Sequence, residues 1–275
     1  MKILQIALPV LRVDTAISPI GVIPDWFLKV PEKRHHRGPH PEDETNFAPA
    51  AAAALSAAVA ELSWLLTRSY AANSALKLVG DRHNLTARQR IAVMRSSCTD
   101  AALAQRASRR LAPAQVAGRE LWIDGYNVLT TVEAGLAGGA LLRARDGALR
   151  DMASMHGTWR KVRETTPALD LIGRALAELG TGPSVFWLDS PVSNSGRLRT
   201  IMAALAQNRG WPWRIELTPN ADKVLIASDQ IVASADSVIL DACRAWFPLA
   251  EYTVEHYVPQ ARLLDLAHVT ARAGP

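Results

Sequence analysis

The segment ELWIDGYN at residues 120–127 begins as a short hydrophobic run and ends in a polar turn. Its apolar part has the length and composition of a buried strand, which the Asp124-Gly125 pair ends. A second hydrophobic run, at residues 184–188, also ends in an aspartate, Asp189. Two buried strands that each end in an aspartate indicate an α/β domain with polar groups at one edge of its sheet.

Strand-like and helical patterns alternate along the rest of this half of the chain. Weaker strands are predicted at Gly139–Leu142, Trp213–Leu217 and Gln230–Ser234, and helices at Ala168–Leu179 and Arg197–Gln207. Such alternation predicts a mainly parallel sheet with helices on both faces. The expected fold class is therefore a three-layer α/β/α domain, preceded by a small helical domain.

Composition and periodicity divide the chain into five parts. Residues 1–41 contain six prolines and no stable period, which is typical of an irregular leader. After it we predict a helical domain with a basic face over residues 42–112 and a linker over 113–119. The α/β domain is predicted over residues 120–258, and a C-terminal tail over 259–275.

The helical domain is predicted from apolar spacing and from one capping signal. Leu55, Val59, Leu62 and Leu66 recur at the spacing that lines one helix face. Residues 74–84 are interpreted as a turn. A further helix is predicted from Thr86, which forms a capping box with Gln89, to about Leu111.

Four arginines of this last predicted helix share one side. Arg88, Arg95, Arg106 and Arg110 lie within about 60° of one another on a helical wheel. Such a stripe would suit a nucleic-acid backbone, because each cation there displaces counterions from the phosphates. An ordinary solvated basic face is the alternative.

Charge is distributed unevenly along the 275 residues, whose net charge is +5. Residues 1–119 carry 16 Lys and Arg against 9 Asp and Glu, whereas residues 120–275 carry 15 against 17. A basic half beside a mildly acidic half favours a protein that binds nucleic acid through its basic region and carries a carboxylate site in the other half. An arginine-rich solvated surface would have the same composition.

Several classes of protein are disfavoured. The apolar run Ile3–Leu11 is far shorter than the ~20 residues of a membrane span and has no clear cleavage site, so we expect a cytoplasmic protein without a membrane partner. Cys98 and Cys243 lie among apolar neighbours and are expected to be buried free thiols. The chain has no Walker-type or Gly-x-Gly-x-x-Gly loop, so nucleotide-dependent chemistry loses its usual support.

Aspartates follow three of the predicted strands. The candidate catalytic residues are Asp124, Asp189, Asp236 and, on the helix that follows the last of these, Asp241. Because parallel strands end at one edge of a sheet, we expect these carboxylates to converge. Converging carboxylates repel one another unless a cation is present, and Mg²⁺ or Mn²⁺ held by Asp124, Asp189 and Asp236 would suit phosphodiester hydrolysis. Each aspartate could instead cap the helix that follows it.

Polar residues near these aspartates are candidate substrate contacts. Asn127 follows Asp124 closely, and the segment Asn194-Ser195-Gly196-Arg197 opens a helix whose amides and arginine could hold a phosphate. Asp146 is a weaker candidate, because its segment is either a strand end or a loop. His156 has no partner that the sequence identifies.

At Ile123-Asp124-Gly125-Tyr126-Asn127 the chain resembles the PIN-like nucleases of the NYN type, whose first strand typically ends in an Asp-Gly-x-Asn signature. Three further segments, at residues 37–41, 74–81 and 192–197, make residues 37–255 similar to an uncharacterised prokaryotic family. Members of that family pair a helical domain of unknown function with a PIN-like domain.

The resemblance implies a PIN-like three-layer fold and a metal-dependent ribonuclease site. It places the first-strand aspartate of that pattern at Asp124, the central one at Asp189, and the late acidic pair at Asp236 and Asp241. Many such nucleases carry another acidic residue between the first two, and this sequence has no clear counterpart unless Asp146 serves.

The leading hypothesis from the sequence is a metal-dependent ribonuclease with a basic helical RNA-binding module. A non-catalytic RNA-binding adaptor with a degenerate PIN-like fold is the main alternative, and a phosphomonoester hydrolase is the third. Single-stranded or structured RNA is the expected partner. A homodimer is compatible with the sequence.

Overall fold

The computed structural model describes residues 37–152 and 157–267. Most of the predicted leader, His156 and the last residues of the predicted tail lie outside these ranges. The described residues form a helical region followed by a larger α/β domain.

The helical region contains five helices, which pack around an apolar core. They are α1 (Asp43–Asn46), α2 (Ala52–Thr67), α3 (Ala72–Arg82), α4 (Ala87–Ser96) and α5 (Asp100–Arg109), with 3₁₀ turns at Pro49–Ala51 and Pro113–Gln115. Leu55 and Leu62 of α2 and Val93 of α4 are fully buried in this core. Residues 74–84, interpreted from sequence as a turn, are helical as far as Arg82, so that interpretation was wrong.

The long helix predicted from Thr86 to about Leu111 is in fact two helices. Thr86 and Gln89 form the predicted capping box at the start of α4. The chain then leaves the helix at residues 97–99, where Thr99 caps α5 by accepting a hydrogen bond from the Ala102 amide at 3.0 Å. The prediction failed because this second cap lies inside a pattern that is still helical in its spacing.

The α/β domain is built on five parallel strands in the order β5-β4-β1-β6-β7. The strands are β1 (Leu121–Asp124), β4 (Ser184–Asp189), β5 (Trp213–Thr218), β6 (Ile231–Ala233) and β7 (Ala245–Trp246). The helices are α6 (Gly125–Leu136), α7 (Thr165–Glu178), α8 (Ser195–Arg209), α9 (Ala221–Ala227), α10 (Ser237–Ala242) and α11 (Leu249–Tyr257). The predicted α/β fold, a parallel sheet flanked by helices, is confirmed.

Side chains of the central strands point alternately to the two faces of the sheet, and each face packs against its own apolar core. Leu121, Ile123 and Phe186 face one core, which α6, α7, α8 and α11 cover. Trp122 and Trp187 face the opposite side, where their rings lie 5.0 Å apart beside the core of α9 and α10. Apolar groups on both faces explain why these strands read as continuous hydrophobic runs. Cys98 and Cys243 are buried free thiols, as predicted.

A second, three-stranded sheet joins the helical region to the α/β domain. Its strands are β2 (Ala140–Arg143), β3 (Leu149–Asp151) and β8 (Arg262–Asp265), in the order β3-β2-β8. Strand β2 pairs antiparallel with β3 and parallel with β8. Ala140 and Leu142 belong to the core of the helical region, as does Leu266 beyond β8. The segment predicted as a C-terminal tail therefore includes a strand, which sequence reasoning missed.

One helical stretch, Pro49–Thr67, is long and apolar enough to cross a membrane by length and composition alone. Its mean hydropathy is 1.5 over an 18-residue window. Leu55, Val59 and Leu62 of this stretch are buried against the other helices of the region. The arrangement is consistent with a soluble protein that uses this helix as part of its core.

Gly173 in α7 allows a tryptophan to approach closely, and replacing it is expected to destabilise the fold. A Cβ atom at this position would lie 2.1 Å from the Trp211 ring, which itself stacks on Trp213. We expect Gly173→Ala to lower the free energy of unfolding by about 1–3 kcal/mol, because the packed ring must move. The measurement is urea denaturation. Gly196→Ala is the matched control, since a Cβ there meets nothing within 4 Å; an equal loss in both variants would contradict this account.

Candidate active site

The junction of β1 and α6 explains the Asp-Gly pair of the sequence. Asp124 ends β1 and caps α6, because its Oδ1 accepts a hydrogen bond from the Asn127 amide at 3.2 Å. A Cβ at Gly125 would lie 2.6 Å from the Leu188 side chain and 3.1 Å from the Trp187 carbonyl oxygen. Glycine therefore lets the start of α6 lie directly against β4.

Hydrogen bonds join this junction to the segment that follows β6. The second oxygen of Asp124 accepts a hydrogen bond from the Ser234 hydroxyl at 2.8 Å. The Ser234 hydroxyl in turn accepts one from the Asp236 amide at 3.0 Å. Asn127 accepts from the Ala235 amide at 2.9 Å. Asp124, Asn127 and Asp236 are thus held together at the C-terminal edge of neighbouring strands, as the sequence predicted.

A third acidic residue, Asp222, belongs to this group although sequence reasoning missed it. It lies in the first turn of α9, whose N-cap is Asn220. Asp189 positions that turn, because its Oδ1 accepts a hydrogen bond from the Ala221 amide at 2.7 Å. The signal in the sequence was the run from β5 through Asn220 to Asp222, another strand end followed by a helix start.

Burial and mutual repulsion shift the acidity of these carboxyls. Burial raises the pKa of Asp124 to about 7, and the negative charges of Asp222 and Asp236 add to this rise. The hydrogen bonds from Ser234 and the Asn127 amide oppose it. Burial, followed by repulsion from Asp236 and Asp189, also raises the pKa of Asp222. Asp124 and Asp222 therefore lose their protons less readily than an exposed aspartate does.

These acids face a cavity of about 540 Å³ between the α/β domain and the helical region. Asp124, Asp222, Asp236 and Asp151 are among its lining residues, with Met94, Arg95 and Ser97 from the helical region and Arg150 from β3. Asp151 is buried and accepts hydrogen bonds from the hydroxyls of Thr130 and Thr131, each at 3.1 Å. The cavity therefore combines several carboxylates with two arginines.

Tyr126 also lines the cavity, and its hydroxyl group is buried. The residue is 4% exposed, and its hydroxyl has no hydrogen-bond partner of normal geometry among the described residues. Burial and the charge of Asp189 raise its pKa to about 12, which the nearby Ser195 hydroxyl partly offsets. Tyr126 therefore connects the acidic cavity with the start of α8.

The carboxylates of the described residues do not form a set of three ligands around one point, as a tightly held divalent cation would require. Within residues 37–152 and 157–267, no three His, Cys, Asp or Glu side chains are grouped closely enough to hold one ion together. Repulsion between Asp124, Asp222 and Asp236 nevertheless acts across the cavity that they share. Mg²⁺ typically takes one or two carboxylates and keeps several waters, so an ion here would be held by at most two of these three residues.

Three groups of sequence-predicted site residues lie elsewhere. Asp189 lies beside the cavity without lining it, and its Oδ1 is engaged by the Ala221 amide. Asp241 pairs with Arg106 at 2.7 Å, so the expected convergence with Asp124 was wrong for this residue. Asn194, Ser195 and Arg197 lie at the start of α8 and do not line the cavity.

The predicted stripe of four arginines does not exist as one exposed face. Arg88 forms an ion pair with the buried Asp43, and Arg110 forms one with the buried Glu251. Arg106 is only 4% exposed and pairs with Asp146 and Asp241. Arg95 alone of the four lines the cavity, where it donates a hydrogen bond to the Asp151 carbonyl. The four arginines do not form a stripe because the predicted helix is interrupted at residues 97–99. In addition, carboxylates from other elements form ion pairs with three of them.

The fold and this site define an α/β protein whose acidic cavity lies beside a helical region. Residues 113–252, just over half of the chain, match the family described as "Domain of unknown function (DUF5616)", and the chain belongs to that family. Residues 54–109 match a second family, described as "Protein of unknown function (DUF434)". These matches confirm the predicted order of a helical domain of unknown function followed by a second domain.

One relative comes from Methanocaldococcus jannaschii. The chain is 26% identical over 182 residues to "Uncharacterized protein MJ0935" of that organism, a match that covers 66% of this chain and 86% of that protein. No solved structure matches the chain significantly.

Proposed function

We propose that this protein is a metal-dependent phosphodiester hydrolase that cleaves RNA. The observation that carries the proposal is the set of Asp124, Asp222 and Asp236 around one cavity, with the pKa of Asp124 raised to about 7. Such a set is unfavourable when all its members are charged, and a divalent cation relieves that repulsion. The resemblance to PIN-like nucleases supports RNA as the substrate.

The carboxylates would bind and orient the ion. Asp124 is held by hydrogen bonds to both of its oxygens, and Oδ1 of Asp236 is fixed by the amides of Val238 and Ile239. This rigidity favours a defined ion position, because little side-chain freedom is lost on binding. The bound ion would neutralise charge on the scissile phosphate and activate a water for attack on phosphorus.

Two arginines that line the same cavity would orient the phosphate. Arg95 is partly exposed there and is held by the Asp151 carbonyl. Arg150 is anchored by Asp146 and by the Ala235 carbonyl oxygen. Two cationic side chains in fixed positions would attract a phosphate that enters from solvent, and they would balance part of its charge.

A non-catalytic RNA-binding adaptor is the second candidate. It is favoured by the absence, among the residues that the structure describes, of any three acidic side chains close enough to share one ion. This candidate predicts RNA binding without metal-dependent cleavage.

A cleavage assay separates the two candidates. The purified chain is incubated with labelled single-stranded RNA in EDTA, Mg²⁺ or Mn²⁺, and with an aryl phosphate as a monoester substrate. We expect RNA cleavage with metal and none in EDTA. Binding without cleavage under all conditions would overturn the proposal in favour of the adaptor, whereas hydrolysis of the aryl phosphate alone would indicate a phosphomonoesterase.

Asp222→Asn tests the residue that sequence reasoning missed. We expect the variant to cleave roughly 10- to 100-fold more slowly at limiting Mn²⁺, because the cavity loses one of its carboxylates. The measurement is the cleavage rate as a function of Mn²⁺ concentration. Asp229→Asn is the matched control, since Asp229 is exposed and pairs with Arg244 on the surface, away from the cavity lining. Equal rates in the native chain and Asp222→Asn would remove Asp222 from the site.

A further inference from the structure

A cluster of cationic side chains lies beside the acidic cavity, on two segments that contact each other. The first segment, residues 157–164, carries Arg160, Lys161 and Arg163, and the first turns of α8 carry Arg197 and Arg199. All four arginines are exposed, and the lysine is half-buried. The one acidic residue of these stretches, Glu164, is buried and lies 3.6 Å from Arg163. The surface is therefore strongly positive.

Backbone contacts fix the two segments against each other. The Trp159 amide donates to the Ser193 carbonyl oxygen at 3.1 Å, and the Ser193 amide donates to the Gly157 carbonyl oxygen at 3.0 Å. The Asn194 side chain donates to the Trp159 carbonyl oxygen at 2.9 Å. Trp159 itself is fully buried. The cations are therefore displayed on a rigid support rather than on independent loops.

The cluster is continuous with the edge of the sheet that carries the acidic cavity. The chain leaves β4 at Asp189 and begins α8, which carries Arg197, six residues later. Tyr126, which lines the cavity, lies beside Ser195 at the start of that helix. A chain bound across the cations would thus lead toward the carboxylates.

Two of the cations, Lys161 and Arg197, lie close enough to repel each other. Burial lowers the pKa of Lys161, and the positive charge of Arg197 lowers it further. Like charges that are held close by a rigid backbone gain when a polyanion neutralises them. Several separate cations spread over two segments match successive phosphates of a strand better than one small anion.

We infer that Arg160, Lys161, Arg163, Arg197 and Arg199 form a surface that binds the phosphate backbone of single-stranded RNA next to the acidic cavity. The inference deepens the proposed function and rests on it, since the bound strand would be the substrate. It also replaces the predicted arginine stripe of the helical region, three of whose members pair with carboxylates inside the protein.

The test measures binding without cleavage. A fluorescent 20-nucleotide single-stranded RNA is titrated in EDTA at several salt concentrations with the native chain and with the triple variant Arg160→Gln/Arg163→Gln/Arg197→Gln. We expect the variant to bind roughly 10- to 100-fold more weakly at low salt. The slope of log affinity against log salt should also decrease by about 2, or about 0.7 for each lost phosphate contact.

A matched variant controls for net charge. Arg68→Gln/Lys77→Gln/Arg82→Gln removes the same charge from exposed positions of the helical region and should bind nearly as the native chain does. Equal weakening in both triple variants, unchanged binding in the first, or no binding by the native chain overturns the inference. RNA binding that depends on the cluster but is never followed by cleavage would leave it standing and would refute only the proposed hydrolase.

Discussion

Asp124→Asn is expected to lower metal-dependent RNA cleavage by at least about 100-fold, which corresponds to about 2.7 kcal/mol in the activation barrier. Asparagine keeps the size of the side chain and an oxygen that can accept the Asn127 amide hydrogen bond. It removes the charge that faces the cavity, so the ion loses its most rigidly held ligand. The measurement is the single-turnover rate in saturating Mn²⁺. A variant that cleaves at the native rate would refute the assignment.

Although Asp124→Asn should lower activity, it should raise the free energy of unfolding above pH 7. The pKa of Asp124 is about 7 in the folded chain against an ordinary value of 3.8, so the folded state binds the extra proton between these values. The contribution of this group to stability is thus present at low pH and is lost as pH rises through about 7. At about 1.4 kcal/mol per pKa unit, the loss is on the order of 4 kcal/mol.

Urea denaturation in metal-free buffer at pH 5 and pH 8 measures this second effect. We expect the native chain to be less stable at pH 8 and Asp124→Asn to show a smaller difference between the two pH values. A variant that is destabilised equally at both pH values would show that Asp124 serves only as a helix cap.

Arg106→Met is expected to lower the free energy of unfolding by about 3–5 kcal/mol. Arg106 is 4% exposed and joins α5 to Asp146 and to Asp241 of α10. Methionine keeps much of the apolar stem but leaves Asp146 with Arg150 as its remaining cationic partner. Removing one partner of a buried ion pair is costly because the other charge stays buried.

The measurement is urea denaturation of the full chain at pH 7. Arg109→Met is the control, since Arg109 lies three residues further along α5, is partly exposed and donates to the Asp241 carbonyl oxygen rather than to a carboxylate. We expect this control to change stability by less than about 1 kcal/mol. Equal losses in the two variants would mean that the buried network contributes no more than a surface contact.

The central strands were readable from the sequence for a physical reason. Strands β1 and β4 are apolar on both faces because helices cover both sides, so each appears as an unbroken hydrophobic run. The Asp124-Gly125 pair was equally readable, since the aspartate caps a helix and the glycine admits a close neighbour. These signals act over a few residues.

Asp222 and the small sheet escaped prediction because their signals are weak or nonlocal. Strand β5 lies at the edge of its sheet with alternating exposure, so its end was not recognised as a fourth source of acidic residues. Strand β8 pairs with β2 across more than a hundred residues, and its own sequence is short. No local period marks such a strand.

The sequence by itself determined helices α2, α7 and α8, four of the five parallel strands and the edge of the sheet at which Asp124 and Asp236 meet, because apolar periodicity and helix caps are properties of neighbouring residues. Only the tertiary structure decided which charged side chains line the cavity and which pair elsewhere. Arg106 and Asp241 are 135 residues apart in the chain, yet they form an ion pair. Asp222 instead joins the cavity through the contact between Asp189 and Ala221. Partners of this kind are set by long-range packing, which no local pattern records.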